Sequence, residues 1–210
     1  MRRDLLTSVI AIIVFTIVLG LAYPLAMTGV AQVAFPNKAD GSQVKVGGKV
    51  VGSKLIAQDF RRDTGKKDKE GNPILVPVPR YFQERPSTAT NYNAAASAFT
   101  NLGPNSKTAR DTFKANLDGY LSLERRYDPG LTAAHVPIDA VTTSASGIDP
   151  QISVANARIQ AHRIATVRGL PLATVNKMID KYTAGRFIGI FGEPAVNVLE
   201  LNLALDAVKS

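Results

Sequence analysis

The residue types of a serine hydrolase are present in this chain. Ser144 or Ser146 could supply a nucleophile, His135 or His162 a general base, and Asp139 or Asp149 the carboxylate that orients it. No G-x-S-x-G elbow surrounds either serine. His162 falls mid-helix beside Arg163, where an imidazole is ordinarily a surface group or a satisfied buried one. The two histidines lack metal-ligand spacing, and with no cysteine there is neither a thiolate nucleophile nor a Cys-zinc cluster. No G-x-x-x-x-G-K-[ST] loop offers a phosphate cradle. A membrane-tethered extracytoplasmic serine hydrolase is therefore the alternative reading, and the elements that position these residues favour another.

The dominant element is apolar. No charged residue occurs from Leu5 to Asn37, and Leu5–Met27 is rich in Ile, Val and Leu around the whole helical circumference. At about 1.5 Å per residue such a helix reaches roughly 34 Å, enough for a hydrocarbon core of ~30 Å. The expected span is 5–30, with Pro24 near its end, where a lost backbone hydrogen bond is cheapest. Thr16 and Gly20, and Ala22 and Ala26, have the small-x-x-x-small spacing that permits close helix packing. A cleaved leader ending at Gly29-Val30-Ala31 is the competing possibility, but leader cores run ~7–15 residues. Arg2 and Arg3 precede the span and no cation follows until Lys38, so residues 1–4 are expected in the cytoplasm and residues 31–210 outside it.

The chain has 210 residues, 25 Lys+Arg, 17 Asp+Glu and a net charge of +8. Export argues against nucleic acid as the reason for that charge. Five cations and three anions crowd into Arg61–Glu70, which reads as a solvated loop. Asp63-Thr64-Gly65-Lys66-Lys67 holds the residue types of a D-K-T-G-T phosphorylation motif in the wrong order. Residues 61–79 together read as a charged, proline-rich loop.

The exported part predicts an α+β domain tethered by one helix. Val44–Val51 with its Gly47-Gly48 turn predicts a hairpin. Ser106 caps a predicted helix carrying Phe113, Leu117, Tyr120 and Leu121, and Pro129-Gly130 ends that segment. Val136–Thr143 predicts a strand. Ser153 caps a helix to Val167 that Gly169 stops, and Pro171 opens the next. Phe187–Ile190 and Val196–Val198 predict short strands, and Asn197 with Glu200 has capping-box spacing ahead of Leu201.

Several strings resemble a known family. They are Gly52–Phe60, Tyr81–Ser87, Tyr92–Ser97, Val141–Pro150 and Gly192–Asp206. In this order, behind an N-terminal anchor, they closely resemble the C subunit of the bacterial potassium-transporting Kdp ATPase. The 61–79 stretch looks like an insertion relative to shorter relatives. The resemblance implies a non-catalytic subunit of an inner-membrane complex for ATP-driven potassium uptake. Its partners would be a potassium-translocating A subunit, an ATP-hydrolysing P-type B subunit and a small F peptide. The C subunit would stabilise the assembly and act as a catalytic chaperone that raises the B subunit's affinity for ATP. No cofactor would be held tightly; ATP would enter through the complex.

The resemblance also implies Gln160 as a residue at which nucleotide contact is proposed. The charge rule puts Gln160 outside, away from cytoplasmic ATP, so an indirect effect through the assembly fits both readings. Tyr81, Phe82, Arg85, Pro86, Tyr92, Asn93 and Asn101 lie in family-like, loop-rich strings and are candidates for the partner surface. Arg85 leads them because arginine is enriched at interface hot spots. The same residues could equally shape the body's own loops. A stand-alone solute-binding receptor is a third reading, separable from the pump subunit by co-purification.

Overall fold

The computed structural model describes residues 2–87, 92–97 and 101–208. The chain divides into two compact units after Ser53.

The first unit begins with an apolar helix over Arg2–Ala34, none of it buried within the chain. It is α-helical over Arg2–Ile17 (α1) and Tyr23–Ala34 (α2), with a π-helical turn at Val18–Ala22 between them. The helix outruns the expected span at both ends, so Pro24 sits well inside it rather than near its end. Proline cannot donate the bond that would reach the Gly20 carbonyl. The wider turn accommodates this, with the Tyr23 N–H reaching back to the Val18 carbonyl. After a short turn, Pro36–Ala39 (α3), the expected hairpin forms from Gln43–Val46 (β1) and Lys49–Ser53 (β2). Gly47 and Gly48 supply the two positive φ angles, 57° and 80°, that a two-residue primed turn requires.

The second unit is an α+β body. The stretch read as a charged loop is instead a second hairpin, Arg61–Lys67 (β3) against Pro73–Pro77 (β4). Its prolines occupy the first and last positions of β4, and in a two-stranded ribbon both strands are edges, so they block no interior ladder. The turn is organised by the Asp68 carboxylate, which accepts from the backbone N–H of Glu70 (3.0 Å) and of Asn72 (2.8 Å).

Lys107–Glu124 (α4) is capped by Ser106, as expected. The predicted strand over Val136–Thr143 does not form; Ala133–His135 and Ile138–Ala140 are single 3₁₀ turns instead. Pro137 between them lacks the N–H that a strand ladder needs. Gln151–Ser153 (β5) leads into Val154–Arg168 (α5), which Gly169 closes in the left-handed conformation, φ 66°. Leu172–Lys181 (α6), Thr183–Ala184 (β6), Ala195–Asn197 (β7) and Val198–Ala207 (α7) follow. The sheet order is β5-β7-β6, antiparallel throughout, with Ile152 opposite Val196. Phe187–Ile190 is not a strand but the tip of a tight turn between β6 and β7, closed by a bridge from Phe187 to Phe191.

The core lies between this sheet and α5, α6 and α7. Phe82, Ile152, Ala161, Ile164, Val175, Ile179, Val196, Leu201 and Leu205 form one buried cluster. On α6, Val175 and Ile179 are one turn apart and both fully buried, whereas α5 is buried on two sides.

Candidate functional site

The polar residues of the body converge on one segment, 79–85, which begins in a turn closed by the Tyr81 N–H on the Val78 carbonyl at 3.1 Å. Tyr81–Gln83 runs as a strand would, but its neighbours are helices. Consecutive residues of an extended chain turn their backbone groups to opposite sides, and here each side meets a primary amide. On one side the Phe82 N–H donates to Asn202 Oδ1 at 2.8 Å, and Asn202 Nδ2 donates to the Phe82 carbonyl at 3.0 Å. On the other, the Gln83 N–H donates to Gln160 Oε1 at 2.8 Å, and Gln160 Nε2 donates to the Gln83 carbonyl at 3.1 Å. A side-chain amide carries the same donor and acceptor as a peptide group, so α7 and α5 each stand in for one rung of a sheet.

Gln160 is fully engaged. Its oxygen also accepts from Arg163 Nη2 at 2.9 Å and its nitrogen also donates to Asn156 Oδ1 at 3.0 Å. Only 1 % of the residue is exposed. Asn156, Gln160 and Arg163 lie on one face of α5 at spacings of four and three, and Ala157, Ala161 and Ile164, each one residue further on, form the adjoining apolar face. Arg163 and Glu124 form a buried ion pair at 3.0 Å. Arg163 Nη1 donates to the carbonyls of Pro79 (2.5 Å) and Tyr81 (2.9 Å). Burial holds the Glu124 carboxyl above its ordinary range, with Arg163 opposing the rise. Tyr120 donates to Asn156 Oδ1 at 2.8 Å, and burial pushes its phenol up. The site suggested for nucleotide contact is thus a saturated structural node.

Asn156 and Gln160 also border a cavity of about 320 Å³ whose lining includes Arg61, Glu84, Tyr92 and Asn116. Arg61 is held by Asp59 at 2.8 Å and stacks over the Tyr92 ring at 5.4 Å. Both Glu84 carboxylate oxygens are buried, and among the described residues neither has a hydrogen-bond partner of good geometry, the nearest donor being the Gln58 backbone. Burial, with Asp149 adding and the Gln58 backbone opposing, raises this carboxyl well above the ordinary range.

The residues considered for the partner surface divide sharply. Phe82 is wholly buried and belongs to the core, because the irregular segment that carries it is covered by α5 and α7 rather than open to solvent. Tyr81 packs on Phe60 with ring centroids 5.5 Å apart and donates to Asp206 at 3.0 Å. Arg85 is half-buried and spent internally, donating to the Thr143 carbonyl at 3.0 Å and lying 3.5 Å from Asp149. Tyr92 donates to the Arg85 carbonyl at 2.6 Å, and Asn93 accepts from the Ala95 N–H at 3.0 Å. Pro86 is half-buried, while Asn93 and Asn101 are exposed. In the apolar helix, Thr16 and Gly20 share a face, whereas Gly20 and Ala22 both lie in the π turn and Ala26 lies beyond it.

The hydrolase residues do not assemble. Ser144 and Ser146 lie 3.4 Å from each other, His135 Nδ1 is 3.1 Å from Thr132, and Asp139 accepts from Ser153 and Asn156. Among the described residues neither serine is hydrogen-bonded to a histidine.

One feature escapes a reading of the sequence by motif: the tip Phe187, Ile188, Ile190 and Phe191, whose four large apolar side chains are all exposed. Its signal is an apolar run bracketed by Arg186 and Glu193 and interrupted by Gly189 and Gly192.

A family model described as "KdpC: K+-transporting ATPase, c chain" matches residues 5–207. A potassium-transporting ATPase KdpC subunit of Rhodopseudomonas palustris (strain BisB5) is 43% identical over 207 residues, covering 99% of this chain and 98% of the relative. One from Caulobacter sp. (strain K31) is 46% identical over 209 residues, covering 99% and 95%. One from Koribacter versatilis is 40% identical over 210 residues, covering 100% and 97%.

Proposed function

The chain belongs to the KdpC family, the c chain of K+-transporting ATPases, and from that premise we propose how it serves such a pump. It is a non-catalytic accessory subunit: a single apolar helix anchors it in the bacterial inner membrane, and its α+β body lies on the extracytoplasmic side. There it stabilises the assembly of the potassium-translocating A, ATP-hydrolysing B and small F subunits. It raises the B subunit's affinity for ATP indirectly, as a difference in binding free energy between pump states, typically ~1–3 kcal/mol.

The observation that carries this reading is the saturation of Gln160. A residue whose oxygen accepts two hydrogen bonds and whose nitrogen donates two has nothing left for a nucleotide. An effect on ATP then has to travel through contacts between subunits. Orientation supports the same view, since Arg2 and Arg3 flank one end of the apolar helix and hold it at the cytoplasmic face.

The test is co-purification. The full chain, expressed with the candidate pump subunits and extracted in mild detergent, is expected to elute with them and to lower the ATP concentration for half-maximal turnover. Elution as a lone monomer, or turnover of an ester or peptide by the isolated chain that is abolished by Ser144→Ala or Ser146→Ala, would defeat the proposal.

A further inference from the structure

The turn between β6 and β7 shows apolar side chains to solvent where the body has a core available to hide them. Phe187, Ile188, Ile190 and Phe191 are 71%, 73%, 73% and 64% exposed. Scattered exposed apolar residues need no explanation, but four large ones within five positions do.

The tip is built rather than loose. Phe187 and Phe191 exchange two backbone hydrogen bonds, at 2.8 and 3.0 Å, and the Ile190 N–H donates to the Phe187 carbonyl at 3.2 Å. At its base Arg186 Nη2 reaches both carboxylate oxygens of Glu193, at 3.0 and 2.9 Å. Gly189 takes φ 74°, which glycine adopts freely, but Ile188 takes φ 53°. A β-branched side chain at a left-handed φ is a genuine outlier, and strain of this kind clusters at binding sites and clamps.

We infer that this tip is a docking element that inserts into an apolar pocket on the extracytoplasmic face of a membrane-embedded partner subunit. The inference rests on the accessory reading above. Three observations select that occupant. First, an apolar tip that enters a lipid surface is accompanied by Lys and Arg that meet the anionic headgroups. The tip has one cation, Arg186, and it is paired with Glu193. Second, two Phe and two Ile present on the order of 500 Å² of apolar area, given roughly 150–250 Å² per aromatic side chain. A stable free dimer needs about 800 Å² from each partner, so the tip alone does not hold two copies together. Third, a small apolar anchor suffices where a tether already keeps the partners close, because linkage raises the effective concentration. The exposed helix over Arg2–Ala34 is such a tether.

The experiment uses the whole complex in native membranes, with a photo-crosslinking amino acid at position 188 and, separately, the variant Phe187→Ser/Phe191→Ser. The expected adduct joins this chain to a larger integral-membrane subunit. The double variant is expected to cut retention of that subunit through purification by at least about tenfold, a loss on the scale of hot-spot residues, with no change in the Tm of the chain itself. An adduct with lipid, an adduct between two copies of this chain, no adduct, or undiminished retention would each overturn the inference while leaving the accessory role standing. Failure of the unmodified chain to co-purify with any pump subunit removes the accessory role and this inference with it.

Discussion

Gln160 and Gln83 are joined as two strands of a sheet would be, although one contributes a side chain and the other its backbone. The N–H of Gln83 donates to Gln160 Oε1 at 2.8 Å and the Gln160 nitrogen returns a bond to the Gln83 carbonyl at 3.1 Å. Gln160→Ala leaves both backbone groups and an Arg163 donor without partners, and is expected to destabilise the chain by about 2–4 kcal/mol. Thermal unfolding of the purified chain measures the loss. In complexes matched for subunit content the KM for ATP should remain that of the wild type. A raised KM at unchanged stability would return Gln160 to the role of nucleotide ligand.

The Arg163–Glu124 pair ties α5 to α4 at 3.0 Å with both side chains essentially out of solvent. Arg163→Met strands a buried carboxylate and several carbonyls, and should cost about 3–5 kcal/mol. Glu124→Gln should cost less, since an amide oxygen still accepts. Glu124→Leu combined with Arg163→Met should lose less than the sum of Glu124→Leu and Arg163→Met made separately. Strict additivity in denaturant unfolding would show that the two side chains do not act as a unit.

Glu84 makes stability depend on pH in a definite direction. A carboxyl raised in the folded state binds its proton more tightly there than in the unfolded chain, where its value is near 4.5. Stability from this group is therefore fully present below that value and falls as pH climbs toward the folded one. Glu84→Gln removes the titration, so its Tm should exceed that of the wild type at about pH 8 and converge with it near about pH 4.5. Parallel profiles for the two proteins would contradict the assignment.

Topology is testable without background, because the chain contains no cysteine. Lys114→Cys, on the exposed face of α4, should react with a membrane-impermeant maleimide in intact spheroplasts. Labelling only after lysis would place the body in the cytoplasm.

The sequence disclosed those elements whose formation is governed locally. The apolar anchor, the Gly47-Gly48 hairpin and the helices capped by Ser106, Ser153 and Asn197 each follow from neighbouring residues, and each formed. Elements that depend on distant partners stayed hidden. Arg61–Lys67 looks like a solvated charge run until Asp68 closes its turn and β4 supplies a ladder. Val136–Thr143 has strand-like composition, but Pro137 and the 3₁₀ turns around it prevail. The Asn202–Phe82 and Gln160–Gln83 pairs join residues far apart in sequence. For the same reason Phe82 looked available to a partner when it is in fact core. The exposed tip at Phe187–Phe191 carried apolar composition that suits a strand equally well, and only the backbone at Ile188 distinguishes the two.

The support that α5 and α7 give to the segment at Phe82 and Gln83 also bears on how the chain can vary over generations. An ordinary sheet is knit from main-chain groups that every codon except proline's supplies, so few single-base changes can unpick it. Here two rungs are written in the codons for Gln160 and Asn202. Drift at either position therefore reaches directly into the architecture, and invariance there would reflect inheritance of a scaffold rather than of a reaction.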